Sequence, residues 1–324
     1  MISVCIATFN GEKFIEKQLK SILNQTATVD EVIICDDCST DSTVKIIKYF
    51  IAENGLSHNW HLFINEKNLG YCLNFYSAIF KAKGDLIFLC DQDDIWNNNK
   101  VEVMTDFLKE NSDIYVLASR YNLIDRNDED INGLYIPYFS LSDDGSWETV
   151  DSNSLIGCSH IRGFSICFSA KIKEFLKPID VKSLLAHDWF ISILGTFLGK
   201  TVILNRVLCN YRFHGGNVSL SDMNRTELLG SFEKRISGLE ESINAHSYLL
   251  SLDMKSTPHK ALKNFISFEK KRLEFLKTRN LFIFFSLVFY LKEYKRYYKS
   301  VKGAFRVWFG DFCYCYNINF NIRK

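Results

Sequence analysis

Residues 88–96 read Phe88-Leu89-Cys90-Asp91-Gln92-Asp93-Asp94-Ile95-Trp96. An apolar run from Leu86 to Cys90 ends abruptly in three carboxylates within four residues, Asp91, Asp93 and Asp94. Packing gives a buried strand no reason to finish on so much negative charge. Neighbouring carboxylates repel and raise one another's pKa unless a cation lies among them. A divalent metal at the carboxyl end of a central strand accounts for the pattern, and in open α/β sheets that end is where ligands bind. Hard oxygen ligands, with no Cys or His in the cluster itself, favour Mg²⁺ or Mn²⁺ over Zn²⁺. So few carboxylates leave coordination positions for water and substrate phosphates, which points to an enzyme handling a phosphorylated or nucleotide-linked substrate. The competing reading is a solvated acidic turn that caps the next helix.

Outward from this stretch, the first hundred residues alternate. Strand-like runs fall at 3–7, 31–35, 60–64 and 86–90. Helical spacing fills 12–24, and Ser39 or Asp41 caps a helix running to about residue 52. A third helix is expected over 71–81. This period means βαβ units and a parallel sheet. From 113 to 223 the pattern is mixed: strands at 114–119, 165–168 and 201–204, a helix at 186–198, and a polar loop or insertion at 125–153. Beyond 224 the chain becomes helical, with Leu228, Leu229, Phe232, Ile236, Leu239 and Ile243 at helical spacing. A longer series, Phe284, Val288, Leu291, Tyr294, Tyr298, Val301, Phe305 and Trp308, predicts one continuous helical stripe. Lys292, Lys295, Arg296, Lys299, Lys302 and Arg306 lie beside it.

A length of 324 residues and 47% hydrophobic content suffice for one large or two smaller domains. A net charge of +1 gives no overall field for nucleic acid. The opening Met1-Ile2-Ser3-Val4-Cys5-Ile6 reads as a strand and has no charged leader region or cleavage site. Of the ten cysteines, Cys5, Cys35, Cys90 and Cys167 fall inside apolar runs, where a thiol acts as a small hydrophobe. A reduced, cytoplasmic compartment is expected. Cys35 and Cys38 have CxxC spacing but no convincing second pair, Cys313 and Cys315 being remote. The longest apolar runs, 281–285 and 287–291, are together about half of the ~20 residues that span a bilayer, so no transmembrane helix is expected. The C-terminal stripe with its cations suits the interface of an anionic membrane, or else packs on the rest of the chain with its basic face in water.

Two further loops bear on chemistry. Ala7-Thr8-Phe9-Asn10-Gly11, at the carboxyl end of the first strand, can approach a nucleotide closely, Gly11 permitting unusual backbone angles; an ordinary helix cap is the plain alternative. In Cys35-Asp36-Asp37-Cys38-Ser39-Thr40-Asp41, a carboxylate at a strand tip can accept the imide N–H of uracil or thymine. Asp37 is the candidate, while Ser39 to Asp41 serve the following helix.

These loops, with Asn68-Leu69-Gly70 and Asp91-Gln92-Asp93-Asp94 in order and at the expected spacing, resemble an inverting family 2 glycosyltransferase of the GT-A fold. The resemblance continues at His187-Asp188-Trp189 and at Tyr211-Arg212-Phe213-His214-Gly215-Gly216-Asn217-Val218-Ser219, and there points to a bacterial branch including rhamnosyltransferases of O-antigen and capsule assembly. It covers about 1–220. It implies a catalytic domain over 1–223, with a nucleotide-binding half (1–100) and an acceptor-side half (101–223), and a helical extension over 224–324. Position by position, Thr8 and Asp37 match residues holding the nucleobase and ribose, with Asn10 in the same loop. Asp91 matches the first aspartate of the DxD motif, facing the ribose. Asp93 matches the second, which binds the metal, and Asp94 orients that shell. Asp188 stands where the family places its general base; the family more often has Glu-Asp there, and here His187 replaces the Glu. Arg162-Gly163-Phe164 resembles a segment lining the sugar pocket, and Trp189 sits beside the base. His214 is read as a metal ligand or phosphate contact, or else as a loop histidine satisfied by its neighbours. Arg212 contacts phosphate or pairs with a surface acid.

The activity implied is metal-dependent (Mn²⁺ or Mg²⁺), inverting sugar transfer from a nucleoside-diphosphate sugar, with dTDP-rhamnose first and a UDP-hexose next. The acceptor implied is a lipid-linked glycan, at the cytoplasmic face of the inner membrane. Nucleotidyl transfer to a sugar phosphate would need a Gly-rich loop with a basic residue after the first strand, which is missing. A binding module without activity would not need both Asp93 and Asp188, and a processive synthase would normally carry transmembrane helices.

Overall fold

A computed structural model of the chain describes residues 1–131, 143–176, 186–214, 232–298, 301–316 and 318. The apolar runs form strands β1 (Ile2–Thr8), β2 (Glu31–Asp36), β3 (Trp60–Ile64) and β4 (Leu86–Asp91), followed by β5 (Ile95–Trp96), β6 (Ile114–Ile124), β7 (Trp147–Thr149), β8 (Ile166–Ser169) and β9 (Lys200–Arg212). They share one sheet of order β3-β2-β1-β4-β8-β6-β9-β5, with β7 pairing β9. β1 runs parallel to β2 and β4, and β2 to β3, whereas β8 is antiparallel to both β4 and β6. Val4, Cys5, Ile6, Val32, Ile34, Phe88 and Leu89 are all 0% exposed, as expected where helices cover both faces of a parallel sheet. The crossover helices are Ile15–Leu23, Thr43–Glu53 and Tyr71–Lys81.

The chain goes outward from β1 to β2 and β3 and then returns to the other side of β1 as β4. The tips of β1 and β4 therefore flank a switch point, the crevice where such sheets bind ligands. Register puts Ala7 opposite Asp91 and Thr8 opposite Asp36.

Strands β6 and β9 run further than their apolar pattern predicts. The pattern breaks at Arg120 and Asn205, but Arg120 Nε donates to Asn205 Oδ1 at 2.8 Å, and register shifts around residues 119–121 let the ladder continue to Ile124 and Arg212. The polar segment 125–153 contains β7 and, in part, the short helix Ser152–Leu155; residues 132–142 lie outside the described residues. The ten cysteines form no disulfide. Cys38 donates to the Asn65 carbonyl (3.2 Å), and Cys35 lies 3.8 Å from Ser77 Oγ.

The chain divides into two compact units. One comprises the described residues within Met1–Val150, His160–Pro178 and Ala186–His214 and holds the whole sheet; the other comprises Asp151–Ser159 and described residues of the C-terminal part. The second unit contains helices Phe232–Ser251, His259–Thr278, Leu281–Ser286, Leu291–Tyr298 and Val301–Cys315, with a 3₁₀ turn at Leu287–Tyr290. The continuous stripe expected from 284 to 308 is thus broken, because the 3₁₀ turn shifts the helical phase. Two of its members are core: Phe284 is 3% exposed and stacks on Trp308 at 4.4 Å, and Tyr294 is 0% exposed and edges onto Phe268 at 4.6 Å. The Tyr298 side chain, Lys299, Leu228 and Leu229 lie outside the described residues. A buried ionic knot joins this unit: Asp311, 0% exposed, accepts from Arg272 Nε (2.5 Å) and Nη2 (2.9 Å) and from Arg235. Among the described residues no helix is long and apolar enough to cross a membrane.

Candidate functional site

At the β1–β4 switch point the residue between the two DxD aspartates ties the loops together. Gln92 accepts from the Phe9 N–H (2.8 Å) and donates to the Phe9 carbonyl (2.9 Å). A Cβ at Gly11 would lie 2.2 Å from Gln92 Oε1 and would push that side chain away from its two bonds to Phe9. Asn10, at φ 49°, is held in the left-handed region by a bond from its N–H to Ser39 Oγ (2.8 Å) and by the Thr40 N–H donating to its Oδ1 (2.9 Å). An Asn pays little for that backbone.

At the tip of β2, neighbouring aspartates do different work. Asp36 is 0% exposed and accepts from Thr8 Oγ1 (2.9 Å) and from Ser39 Oγ (2.6 Å) and N–H (2.9 Å). The Thr8 side chain is thereby engaged within the protein. Asp37, 2% exposed, accepts from Asn65 Nδ2 (2.9 Å), Leu69 N–H (2.8 Å) and Gly70 N–H (2.8 Å). It organises the Asn68-Leu69-Gly70 loop. A carboxylate offers about four lone pairs, so Oδ2 keeps one. Asn74, also buried, donates to the Cys35 carbonyl (2.8 Å) and accepts from Asn65 (2.9 Å), fastening the same tip to the helix Tyr71–Lys81.

The carboxylates after β4 are close enough to disturb one another. Asp91 is pushed up to about 8, first by burial, then by Asp93 and Asp188, against the opposing pull of Arg162 and Lys100. Asp94 is 0% exposed and held well above the usual carboxylate range by burial and by Asp93 and Asp91. Its Oδ1 accepts from the Arg212 N–H (3.0 Å), while its Oδ2 is buried with no hydrogen-bond donor among the described residues.

Arg212 departs from the phosphate contact entertained for it. The residue is 0% exposed, and its guanidinium donates to the carbonyls of Asp93 (2.7 Å) and Asp125 (2.9 Å), pairs with Asp128 (2.5 Å) and lies 4.7 Å over the Phe14 ring. Of the two readings, pairing with an acid fits this geometry: Arg212 clamps the acidic loop from behind. Lys100, which the sequence reading overlooked, is also 0% exposed; its Nζ donates to the Phe164 carbonyl (2.7 Å) and lies 4.5 Å over Trp96. It is the buried cation that offsets Asp91 and Asp94. A lysine opening a helix just after an acidic strand end was the available signal.

His214 Nε2 lies 2.7 Å from Asp93 Oδ2, with its ring 5.0 Å from Phe14. Adjacent ligands of an octahedral ion with ~2.1 Å bonds sit about 3 Å apart, so these two atoms fit neighbouring positions around Mn²⁺ or Mg²⁺. Among the described residues no three His, Cys, Asp or Glu side chains converge into a complete metal site. Gly215 and Gly216, which follow His214 in the sequence, lie outside the described residues.

The helix His187–Leu198 brings the last pieces in. Asp188, in its first turn, accepts from the Trp189 N–H (2.7 Å) and the Gly163 N–H (3.2 Å), and its carboxylate lies within electrostatic reach of Asp91. Arg162, half-buried, hydrogen-bonds Tyr121 and draws down the Asp91 pKa. Gly163 leaves room for His187, whose Nε2 would lie 3.0 Å from a Cβ there. Trp189 is 4% exposed and packs against Phe190, which places its ring in the core rather than along an open pocket.

His187 is 5% exposed, stacked on Phe75 at 4.1 Å, and neither ring nitrogen has a hydrogen-bond partner among the described residues. Burial pulls its pKa below the ordinary histidine value, against the opposing effect of Asp188. The folded state then binds fewer protons than the unfolded one, so stability fully present above about pH 6.5 is lost progressively as the pH falls below that value through the lowered folded-state pKa. Urea midpoints measured between about pH 7.5 and 5.5 should fall in the wild type and fall less in His187→Leu; equal slopes would assign the titration to another group.

Residues 3–165, half of the chain, match the family model described as Glycosyl transferase family 2. An uncharacterized glycosyltransferase of Nostoc sp. is 27% identical over 226 residues, 69% of this chain and 68% of that one. The dTDP-rhamnosyl transferase RfbG of Shigella flexneri is 29% identical over 199 residues, 57% of this chain and 63% of that one. Of two other curated relatives the chain spans 30% and 60% of the length. The structure of S. aureus TarS 1–349 in complex with UDP-GlcNAc superposes with a TM-score of 0.62 at 18% identity, over 98% of this chain and 90% of that one, which shows the shared GT-A-like fold. With half its length on the family model, Asp91–Asp94 included, the chain belongs to glycosyl transferase family 2.

Proposed function

We propose that the chain transfers a sugar, with inversion, from a nucleoside-diphosphate sugar to a hydroxyl of a glycan acceptor. The observation that carries this reading is the meeting of three distant segments at the tip of β4: His214 Nε2 lies 2.7 Å from Asp93 Oδ2, and Asp188, which accepts from the Gly163 N–H, lies within electrostatic reach of Asp91. In this reading Asp188 takes the proton of the attacking hydroxyl. A single direct displacement then inverts the anomeric carbon, by the geometry of inverting glycosidases. Asp93 and His214 would hold Mn²⁺ or Mg²⁺, and the bound ion would offset the negative charge of the departing diphosphate. Thr8, Asn10, Asp37 and Asp91 frame the nucleoside, the remaining Asp37 lone pair being available to an imide N–H. Arg162, Gly163 and Asp94 border the sugar side, while His187 and Trp189 support Asp188 from within the core.

A dTDP-rhamnose donor is the first choice, supported by the likeness to RfbG, and a UDP-hexose the second. Residues 1–223 form the catalytic domain in this reading, and the acceptor is a lipid-linked glycan of O-antigen or capsule type met at the cytoplasmic face of the inner membrane. The test is thermal stabilisation by a panel of nucleotide sugars with Mn²⁺, Mg²⁺ or EDTA. One donor should raise the melting temperature in a metal-dependent manner. No shift with any donor, and none with metal alone, would leave Asp91–Asp94 as an acidic structural turn and sink the proposal.

A further inference from the structure

The C-terminal unit carries an apolar ridge that its own packing does not use. In the helix Leu281–Ser286 and the 3₁₀ turn Leu287–Tyr290, Phe284 and Leu287 face inward at 3% and 0% exposure. The outer face is apolar as well: Leu281 is 46% exposed, Phe282 88%, Phe285 62% and Phe289 86%. Leu281 and Phe285 are four residues apart and Phe282 and Phe285 three, which groups these three on one side of the short helix, and Phe289 is exposed on the 3₁₀ turn that follows. A helix that only packs on its own unit carries polar residues there, and a contiguous exposed apolar patch marks a contact surface. Along the segment from Lys277 to Lys295 every exposed charged side chain is a cation, namely Lys277, Arg279, Lys292 and Lys295, with the exposed Glu274 one turn before it. Lys277 reaches Glu240 (2.5 Å), and the acid of the segment, Glu293, is buried against Arg296 (2.6 Å). Lys271 Nζ lies 5.6 Å over Tyr290, at the edge of the ridge.

We propose that Leu281, Phe282, Phe285 and Phe289 insert into the interfacial layer of an anionic lipid bilayer, with Arg279, Lys292 and Lys295 on the headgroup phosphates. Aromatic and aliphatic side chains beside cations are the composition that binds such a surface without crossing it. This reassigns the membrane face expected from the sequence: Phe284 and Tyr294 are core, and the contact surface is the opposite side of the same segment. The inference rests on the proposed lipid-linked acceptor only for its purpose.

The test is flotation of the full chain, without donor, on vesicles of phosphatidylcholine alone or mixed with phosphatidylglycerol. The wild type should bind the anionic vesicles at least about tenfold better, and lose that preference in about 0.5 M salt. Phe282→Ser combined with Phe285→Ser and Phe289→Ser should lower binding at least about tenfold while keeping the wild-type melting temperature and donor-induced shift, because these side chains are exposed. Lys292→Glu with Lys295→Glu should weaken binding to anionic vesicles only. A wild type that fails to bind, or a triple variant that binds as well as the wild type, overturns the proposal. So does a lipid-free dimer that the triple variant abolishes, which would make the ridge a contact between copies. Vesicle binding is read without donor and the donor shift without vesicles, so failure of one reading is distinguishable from failure of the other.

Discussion

Asp188→Asn should bind the sugar nucleotide normally and transfer sugar about 1,000-fold more slowly, since a positioned general base contributes roughly 10²–10⁴-fold. The amide keeps the shape of the carboxylate but cannot take a proton. One of its two contacts, to the Trp189 and Gly163 N–H groups, survives through the remaining oxygen. Loss of negative charge near a helix N-terminus and of one hydrogen bond costs about 1 kcal/mol, too little to unfold the domain. Single-turnover transfer measured beside the donor-induced thermal shift separates the roles. A normal rate would put the base elsewhere. Loss of the donor shift would make Asp188 a structural residue that supports the Gly163 loop.

The second large effect is expected at Asp93. Asp93→Ala should reduce metal-dependent turnover about 1,000-fold, because a bound ion contributes several kcal/mol to charge development and about 1.4 kcal/mol is a factor of ten. The acidic loop should keep its place, since Arg212 holds Asp93 through the backbone carbonyl and Asp94 through its own N–H. Removing the carboxylate also takes away a charge that raises both Asp91 and Asp94. Without metal, the variant should therefore melt no lower than the wild type, while Mn²⁺ stabilises it less. Full activity in this variant would sink the metal assignment. A sharply lower melting temperature without metal would show that the Asp93–His214 contact holds the fold.

The class of fold was legible because its signal is local. Alternating apolar runs and helical spacing need no long-range information, and β1 to β4 with the helices Ile15–Leu23, Thr43–Glu53 and Tyr71–Lys81 sit within a few residues of where those periods put them. The ends of β6 and β9 were not legible, because cross-strand pairing of Arg120 with Asn205 carries a ladder past polar residues that look like strand ends. The tail was misjudged for a similar reason: a short 3₁₀ turn shifts the phase of the helix, and which face is core depends on the helices packed against it.

The candidate site divides in the same way. Sequence by itself determined which residue types stand at the strand tips, Asp37, Asp91, Asp93, Asp94 and, farther on, His214, and that Asp188 opens a helix. Only the tertiary structure decided what each one faces. It turned Asp36 and Thr8 toward each other, spent most of Asp37 on the Leu69–Gly70 backbone, buried Arg212 as a clamp and brought Lys100 beneath the acidic cluster. The physical reason is that charge and hydrogen-bonding capacity belong to a residue, whereas desolvation and the nearest opposite charge belong to a place, and that place is made by strands the chain brings together from more than a hundred residues apart.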